Sequence, residues 1–190
     1  ERAKAMPKSV YTSPDFAAME QRHIFAKEWL CAGRAEALPN PGDYLTMEIG
    51  GEPIIILRDR EGELRGLSNV CRHRMSTLLE GRGNVRSIVC PYHAWTYNLD
   101  GSLRGAPAMA RNEGFCKDSV ALPTVRCEVW QGWIMISLNP EAPAPETALQ
   151  GIRDNPRRME ALGFHVVAHR VAAYALSGLV AAVGGILLAW

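Results

Sequence analysis

An excess of charge of one sign is what this chain lacks: Lys and Arg total 21 against 20 Asp and Glu, a formal net charge of +1. No basic stripe interleaved with aromatic rings runs along it, which argues against a nucleic-acid partner. A paired cysteine framework is lacking too. The 5 cysteines are an odd number in 190 residues, so a disulfide scaffold of the small secreted kind is not expected. A reducing cytoplasm is the natural compartment. Glu1–Lys8 contains no apolar core, so no signal peptide is expected there. The first residue is Glu1 rather than Met, as in a fragment or trimmed chain.

What is present is a pair of short fingers, Cys71-Arg-His73 and Cys90-Pro-Tyr-His93, separated by 16 residues. Each offers one thiolate and one imidazole. This make-up fits a [2Fe–2S] cluster of the Rieske kind, in which two histidines replace two cysteines on one iron. Two ferric ions, two sulfides and two thiolates sum to zero formal charge, and neutral imidazoles add nothing. Reduction then leaves a single negative charge, so potentials lie at about −150 to +300 mV, against about −400 mV for plant-type ferredoxins. The alternative for the same residues is structural zinc, which also takes mixed Cys/His sets. Zinc-finger histidines usually sit together on a helix and cysteines together on a turn, whereas each finger here mixes the types. Cys31, Cys116 and Cys127 are left over, and buried inert thiols are expected.

With these residues in view, the chain resembles the α subunit of bacterial Rieske-type aromatic-ring-hydroxylating oxygenases. The segment Asn69-Val-Cys71-Arg-His73-Arg, then Cys90-Pro-Tyr-His93-Ala-Trp95-Thr-Tyr97-Asn-Leu-Asp-Gly101, is similar to that family's cluster-binding region. Leu122-Pro123, Val125-Arg126, Glu128-Val-Trp130 and Gly132-Trp133-Ile134 are similar to its closing strands. The resemblance implies Cys71 and Cys90 on one iron, with His73 and His93 on the other. Trp95 and Tyr97, just after the last ligand, read as cover that controls solvent access to the cluster, with Arg74 beside them, or else as ordinary β-core aromatics. Cytochrome bc-type Rieske proteins carry an extra, disulfide-bonded cysteine in each finger; here those places hold Ser76 and Tyr92, which implies the lower-potential type. Met75 departs from the pattern, because the family often has Gly there. Further implications are a reductase or ferredoxin as electron donor, a homo-trimer, and a mononuclear non-haem Fe(II) in a larger catalytic domain. No match to that domain's iron motif occurs in this chain.

Along the chain, Ser13-Pro14-Asp15 predicts a helix start, with Pro at the first helical position and an acid in the first turn, running to about Trp29. His23 reads as a partly exposed helix residue rather than a ligand. Strands are predicted at Tyr44–Ile49, Pro53–Arg58, Leu64–Asn69, Ser87–Cys90, Trp95–Asn98, Gly101–Arg104, Val125–Trp130 and Trp133–Leu138. Asn98-Leu-Asp100-Gly101 supplies a tight hairpin. The fold class is mainly β: an antiparallel sandwich with two cluster-binding loops, an N-terminal helix and an apolar C-terminal tail expected to be helical. Arg72, Arg74, Arg82 and Arg86 flank the fingers. They read either as a surface that raises the cluster potential and steers an acidic donor, or as a solvated loop.

The expected organisation is a lead-in over 1–38, the cluster domain over 39–138, a Pro-rich linker over 139–146, a catalytic-domain remnant over 147–170 and an apolar tail over 171–190. A weak helix is expected at Thr147–Leu162 and a strand at His165–His169. His165 and His169, with Glu160 or Asp154, do not read as a mononuclear iron site, because strand residues four apart lie about 13 Å from each other. Val171–Trp190 is uncharged and, as a helix, would be about 30 Å long, enough to cross a bilayer core. Arg153, Arg157, Arg158 and Arg170 precede it, which would keep the cluster domain on the cytoplasmic side. The functional expectation is electron transfer by the cluster-bearing part of an oxygenase α subunit. The alternative is a self-contained Rieske carrier, tethered to a membrane through 171–190.

Overall fold

Tight two-residue turns at Gly50-Gly51 and Gln131-Gly132 set the register of the two longest hairpins. All four residues have positive φ: 61° and 84° in the first turn, 49° and 79° in the second. This is the backbone twist that joins antiparallel strands through a primed turn. Ile49 therefore pairs with Glu52, and Trp130 with Trp133. The computed structural model describes residues 7–109 and 111–148. The chain divides into two units, Glu1–Ala142 and Pro143–Trp190.

In the first unit the strands are β1 (Leu30–Arg34), β2 (Asp43–Ile49), β3 (Glu52–Arg58), β4 (Leu64–Ser68), β5 (Arg82–Asn84), β6 (Ile88–Val89), β7 (Thr96–Tyr97), β8 (Leu103–Gly105), β9 (Thr124–Trp130) and β10 (Trp133–Ser137). They form a seven-stranded sheet, ordered β1-β10-β9-β4-β3-β2-β5, and a three-stranded sheet, ordered β6-β7-β8. All pairings are antiparallel. The mainly β expectation holds.

Strand β3 explains the layering. Its apolar run Ile54–Leu57 is buried throughout, so both faces are covered. Successive side chains alternate in direction. Ile55 and Leu57 join Leu67, Ile88, Tyr97 and Leu122 in one cluster, which also contains Cys71, Cys90 and Trp95. Ile54 and Ile56 join Leu45, Ile49, Ile134 and Ile136 in the other. The two fingers thus stand on a core of aliphatic side chains, each worth about 1.5–3 kcal/mol of burial.

The helix starts where the sequence indicates: Ser13 Oγ accepts the Phe16 N–H at 3.3 Å, with Pro14 first and Asp15 in the first turn. A short helix α1 (Lys8–Thr12) precedes it. Its course differs from expectation. The α-helical part, α2, is Pro14–Glu20, continued by a π-helical turn over Gln21–Phe25, and it does not reach Trp29. Trp29 is buried ahead of β1 with the Arg126 guanidinium 5.0 Å over its ring. Tertiary packing of that ring ends the helix early. His23 is exposed on the π-helical turn, as expected.

Strands β1 and β5 were not anticipated. β1 pairs with β10 across a bulge between Cys31 and Gly33, and β5 pairs with β2. β5 is pinned by Asn84, whose Nδ2 donates to Pro41 O at 3.0 Å and to Asp43 Oδ1 at 2.8 Å. In the second unit the described helical residues are 145–148. The predicted continuation to Leu162, the strand at 165–169 and the apolar tail 171–190 lie outside the described residues. Among the described residues, no helix is long and apolar enough to cross a membrane.

Candidate metal centre

The two fingers are closed by the same backbone device. The Cys71 N–H donates to Ser76 O at 2.9 Å, and the Met75 N–H to Cys71 O at 3.0 Å. In the second finger the Cys90 N–H donates to Trp95 O at 2.8 Å, and the Ala94 N–H to Cys90 O at 3.0 Å. The fourth residue after each cysteine, Met75 or Ala94, has a φ of 55°. That left-handed conformation suits glycine, which gives a physical reason for the glycine that the resemblance implied at position 75. Met75 adopts it regardless, with its side chain 73% exposed.

Each loop turns one cysteine inward. Cys71 and Cys90 are 1% and 3% exposed. Between the loops the rings of His73 and His93 meet edge to face, with centroids 4.7 Å apart and planes at 69°. The Nδ1 atoms of both rings are buried and have no hydrogen-bond partner. Buried polar atoms are nearly always paired, so two orphans in one place indicate a ligand that the chain does not supply. Among the described residues, no group of three or more His, Cys, Asp or Glu side chains converges as a site for one ion. Structural zinc needs four protein donors around one centre. A two-iron cluster needs only a pair at each iron, with sulfide completing each tetrahedron. The donor set fits the cluster rather than zinc.

The surroundings favour a thiolate. Burial raises the Cys90 thiol, but the His93 and Tyr92 backbone N–H groups, with the Cys71 and Ser76 side chains, outweigh it and lower the pKa overall. Tyr97 is fully buried, and its hydroxyl lies 3.3 Å from Cys71 Sγ and accepts the Arg72 N–H at 3.0 Å. Burial first, then the contact with Cys71, pushes the phenol well above its usual range, so it stays a neutral donor. Desolvation, followed by the charges of His73 and Arg74, lowers His93, which favours the neutral imidazole a metal requires.

The expected cover residues differ in role. Trp95 is buried and stacks on His73, with centroids 4.8 Å apart and planes at 7°. Tyr97 touches sulfur rather than a histidine. Arg74 is exposed and acts on His93 only through its charge. Arg72, Arg82 and Arg86 are exposed as well, and none of the four forms a salt bridge among the described residues. Cys31 and Cys116 are exposed, against the expectation of burial, because β1 is a sheet edge and Cys116 lies in a loop. Cys127 is half-buried; desolvation, then Glu128, pushes its thiol up to about 12.

Three contributors were not singled out from the sequence. Asn69 is buried and staples the first finger: Oδ1 accepts the Leu79 N–H at 2.9 Å, and Nδ2 donates to Leu79 O at 2.8 Å. Tyr92 packs on His93 with centroids 3.8 Å apart. Phe115 meets Trp95 at 5.5 Å. Asn69, two residues before Cys71, and Tyr92, inside the second finger, could be found from their place in the motif; nothing local marks Phe115.

The family model of the Rieske [2Fe-2S] domain matches residues 28–127. The chain belongs to that family. A Rieske domain implies a [2Fe–2S] cluster, in agreement with the orphaned ring nitrogens. This Rieske domain is 37% identical over 153 residues to the carnitine monooxygenase oxygenase subunit of Escherichia coli (strain K12), covering 80% of this chain and 41% of that protein. It is 38% identical over 151 residues to the glycine betaine monooxygenase oxygenase subunit of Chromohalobacter salexigens, covering 79% and 34%. The crystal structure of the quaternary ammonium Rieske monooxygenase CntA with L-carnitine aligns with a TM-score of 0.72 at 37% identity, over 80% of this chain and 44% of that one. Naphthalene 1,2-dioxygenase from Rhodococcus sp., bound to indole, aligns with a TM-score of 0.72 at 32% identity, over 78% and 34%. The chain spans less than half the length of each of these proteins.

Proposed function

We propose that Cys71 and Cys90 bind one iron of the cluster and the Nδ1 atoms of His73 and His93 the other. In this reading the domain relays single electrons from a reductase or ferredoxin towards a mononuclear non-haem Fe(II) centre of an oxygenase. The observation that carries it is the pair of buried, unpartnered Nδ1 atoms beside two buried thiols. When bound, the cluster takes up and gives back one electron at a time. The chain's own contribution is electrostatic and steric. The Tyr97 hydroxyl and the backbone N–H groups of the second finger face sulfur, Asn69 keeps the first finger closed, and buried aliphatic residues exclude water.

The oxygenase subunits among the relatives support a role within a larger enzyme that assembles as a homo-oligomer, a homo-trimer being the form to test. The reading places the domain in the cytoplasm, where thiols stay reduced. Relatives named for carnitine and glycine betaine share 37–39% identity, whereas the naphthalene dioxygenase structures share 32–33%. This favours a quaternary ammonium substrate over the aromatic ring that the first resemblance implied. Oxidation of carnitine and naphthalene by the complete oxygenase decides between them.

Purified protein from cells competent in cluster assembly should hold about two irons and two sulfides per chain, and be coloured, with a Rieske-type EPR signal on reduction. His73→Ala and His93→Ala should each abolish the signal. Colourless protein with one zinc per chain would refute the assignment.

A further inference from the structure

Before its metal binds, a ligand imidazole turns about its ring torsion unless something holds it. In most sites the holder is a hydrogen bond from the ring's other nitrogen to a carboxylate, a carbonyl or water. Among the described residues, no hydrogen bond reaches either ring nitrogen of His73. The ring's neighbours are aromatic instead: His93 meets it edge to face, and Trp95 lies flat against it at 4.8 Å and 7°. The indole is itself well fixed. It is 4% exposed, its backbone oxygen closes the second finger on the Cys90 N–H at 2.8 Å, and Phe115 packs on it at 5.5 Å. Its own Nε1–H is buried and unpartnered, and it is the face of the indole that meets His73.

We propose that Trp95 is the positioning residue for His73, holding the imidazole plane by stacking so that Nδ1 faces the interior. This rests on the ligand assignment given above. The two histidines are then held by different clamps. His73 has a buried indole, while His93 has Tyr92, a ring 59% exposed, at 3.8 Å and 31°. The arrangement is asymmetric, with a rigid side towards the core and an adaptable side towards solvent. It also crosses between fingers, since a residue of the second loop fixes the ligand of the first.

The test uses the cluster-loaded protein with 15N-labelled histidine and pulsed EPR of the two nitrogen couplings, together with the lifetime of the visible absorbance. Trp95→Leu should shift one coupling and leave the other, and shorten the cluster lifetime by roughly tenfold, the low end for groups that orient a metal ligand. Trp95→Phe keeps a flat ring and should preserve both couplings. Tyr92→Leu should move the coupling that Trp95→Leu leaves alone. If Trp95→Leu does not fold, Phe115→Leu, which loosens the indole, should shift the same single coupling more weakly. Unchanged couplings in Trp95→Leu, a Phe variant that behaves like the Leu variant, or both couplings moving together would each overturn the inference. Wild-type protein without a cluster signal overturns the ligand assignment, and this inference with it.

Discussion

The hydroxyl of Tyr97 sits 3.3 Å from the sulfur of Cys71, although 26 residues separate them in the chain. The same oxygen accepts the Arg72 N–H at 3.0 Å, and against a thiolate, which has no proton to give, the hydroxyl is the donor. A hydrogen bond to a thiolate stabilises the more negative, reduced cluster more than the oxidised one.

Tyr97→Phe should therefore lower the reduction potential. A net hydrogen bond of about 1–1.5 kcal/mol, at 59 mV per tenfold change for one electron, corresponds to a fall of up to roughly 40–65 mV. Potentiometric titration followed by EPR reads it. A rise, or no change, would show that the hydroxyl does not donate to sulfur.

Backbone strain predicts opposite outcomes at two positions. Met75 has a φ of 55° and an exposed side chain, so Met75→Gly should raise stability by about 1 kcal/mol. Gly42 has a φ of 89°, and a Cβ there would meet Val85 O at 2.2 Å. Gly42→Ala should cost about 2–3 kcal/mol. Urea denaturation midpoints check both.

Asp59 is fully buried, accepts the Glu63 N–H at 2.8 Å and pairs with the partly exposed Arg65. Together they brace the turn between β3 and β4. Arg65→Met leaves the carboxylate buried with one partner fewer. The loss should be roughly 2–3 kcal/mol, below the 3–5 found for fully buried pairs because Arg65 reaches water. Calorimetric melting of the two proteins measures it.

Cys127 supplies a pH dependence. Its thiol is raised from 9.0 to about 12, by desolvation and then by Glu128. As pH rises past 9.0 the unfolded chain loses this proton while the folded chain keeps it, so stability should decline between 9.0 and about 12. Cys127→Ala should flatten that decline. At neutral pH, iodoacetamide should label the exposed Cys31 and Cys116 in native protein and spare Cys127; mass spectrometry of the digest reads the pattern.

Local chemistry made much of this molecule legible. Cys71, His73, Cys90 and His93 stand out because ligand type and spacing are properties of short segments. The hairpins stand out because turn residues and alternation act over a few positions. The helix start was readable from Ser13-Pro14-Asp15 for the same reason. Its early end was not, because Trp29 answers to Arg126, far along the chain. Likewise β1 and β5 carry weak patterns of their own and exist by pairing with β10 and β2.

By itself, then, the sequence pointed to the proposed donor set through residue type and spacing, and determined the β class and the position of the two loops, which follow from steric and hydrogen-bonding preferences of neighbouring residues. The tertiary structure alone decided that Tyr97 meets Cys71 and that an indole lies flat on His73. It also decided that Cys31 faces solvent at a sheet edge. Such contacts form only once distant strands have closed on a common core, because burial and packing act between segments that the chain order keeps apart.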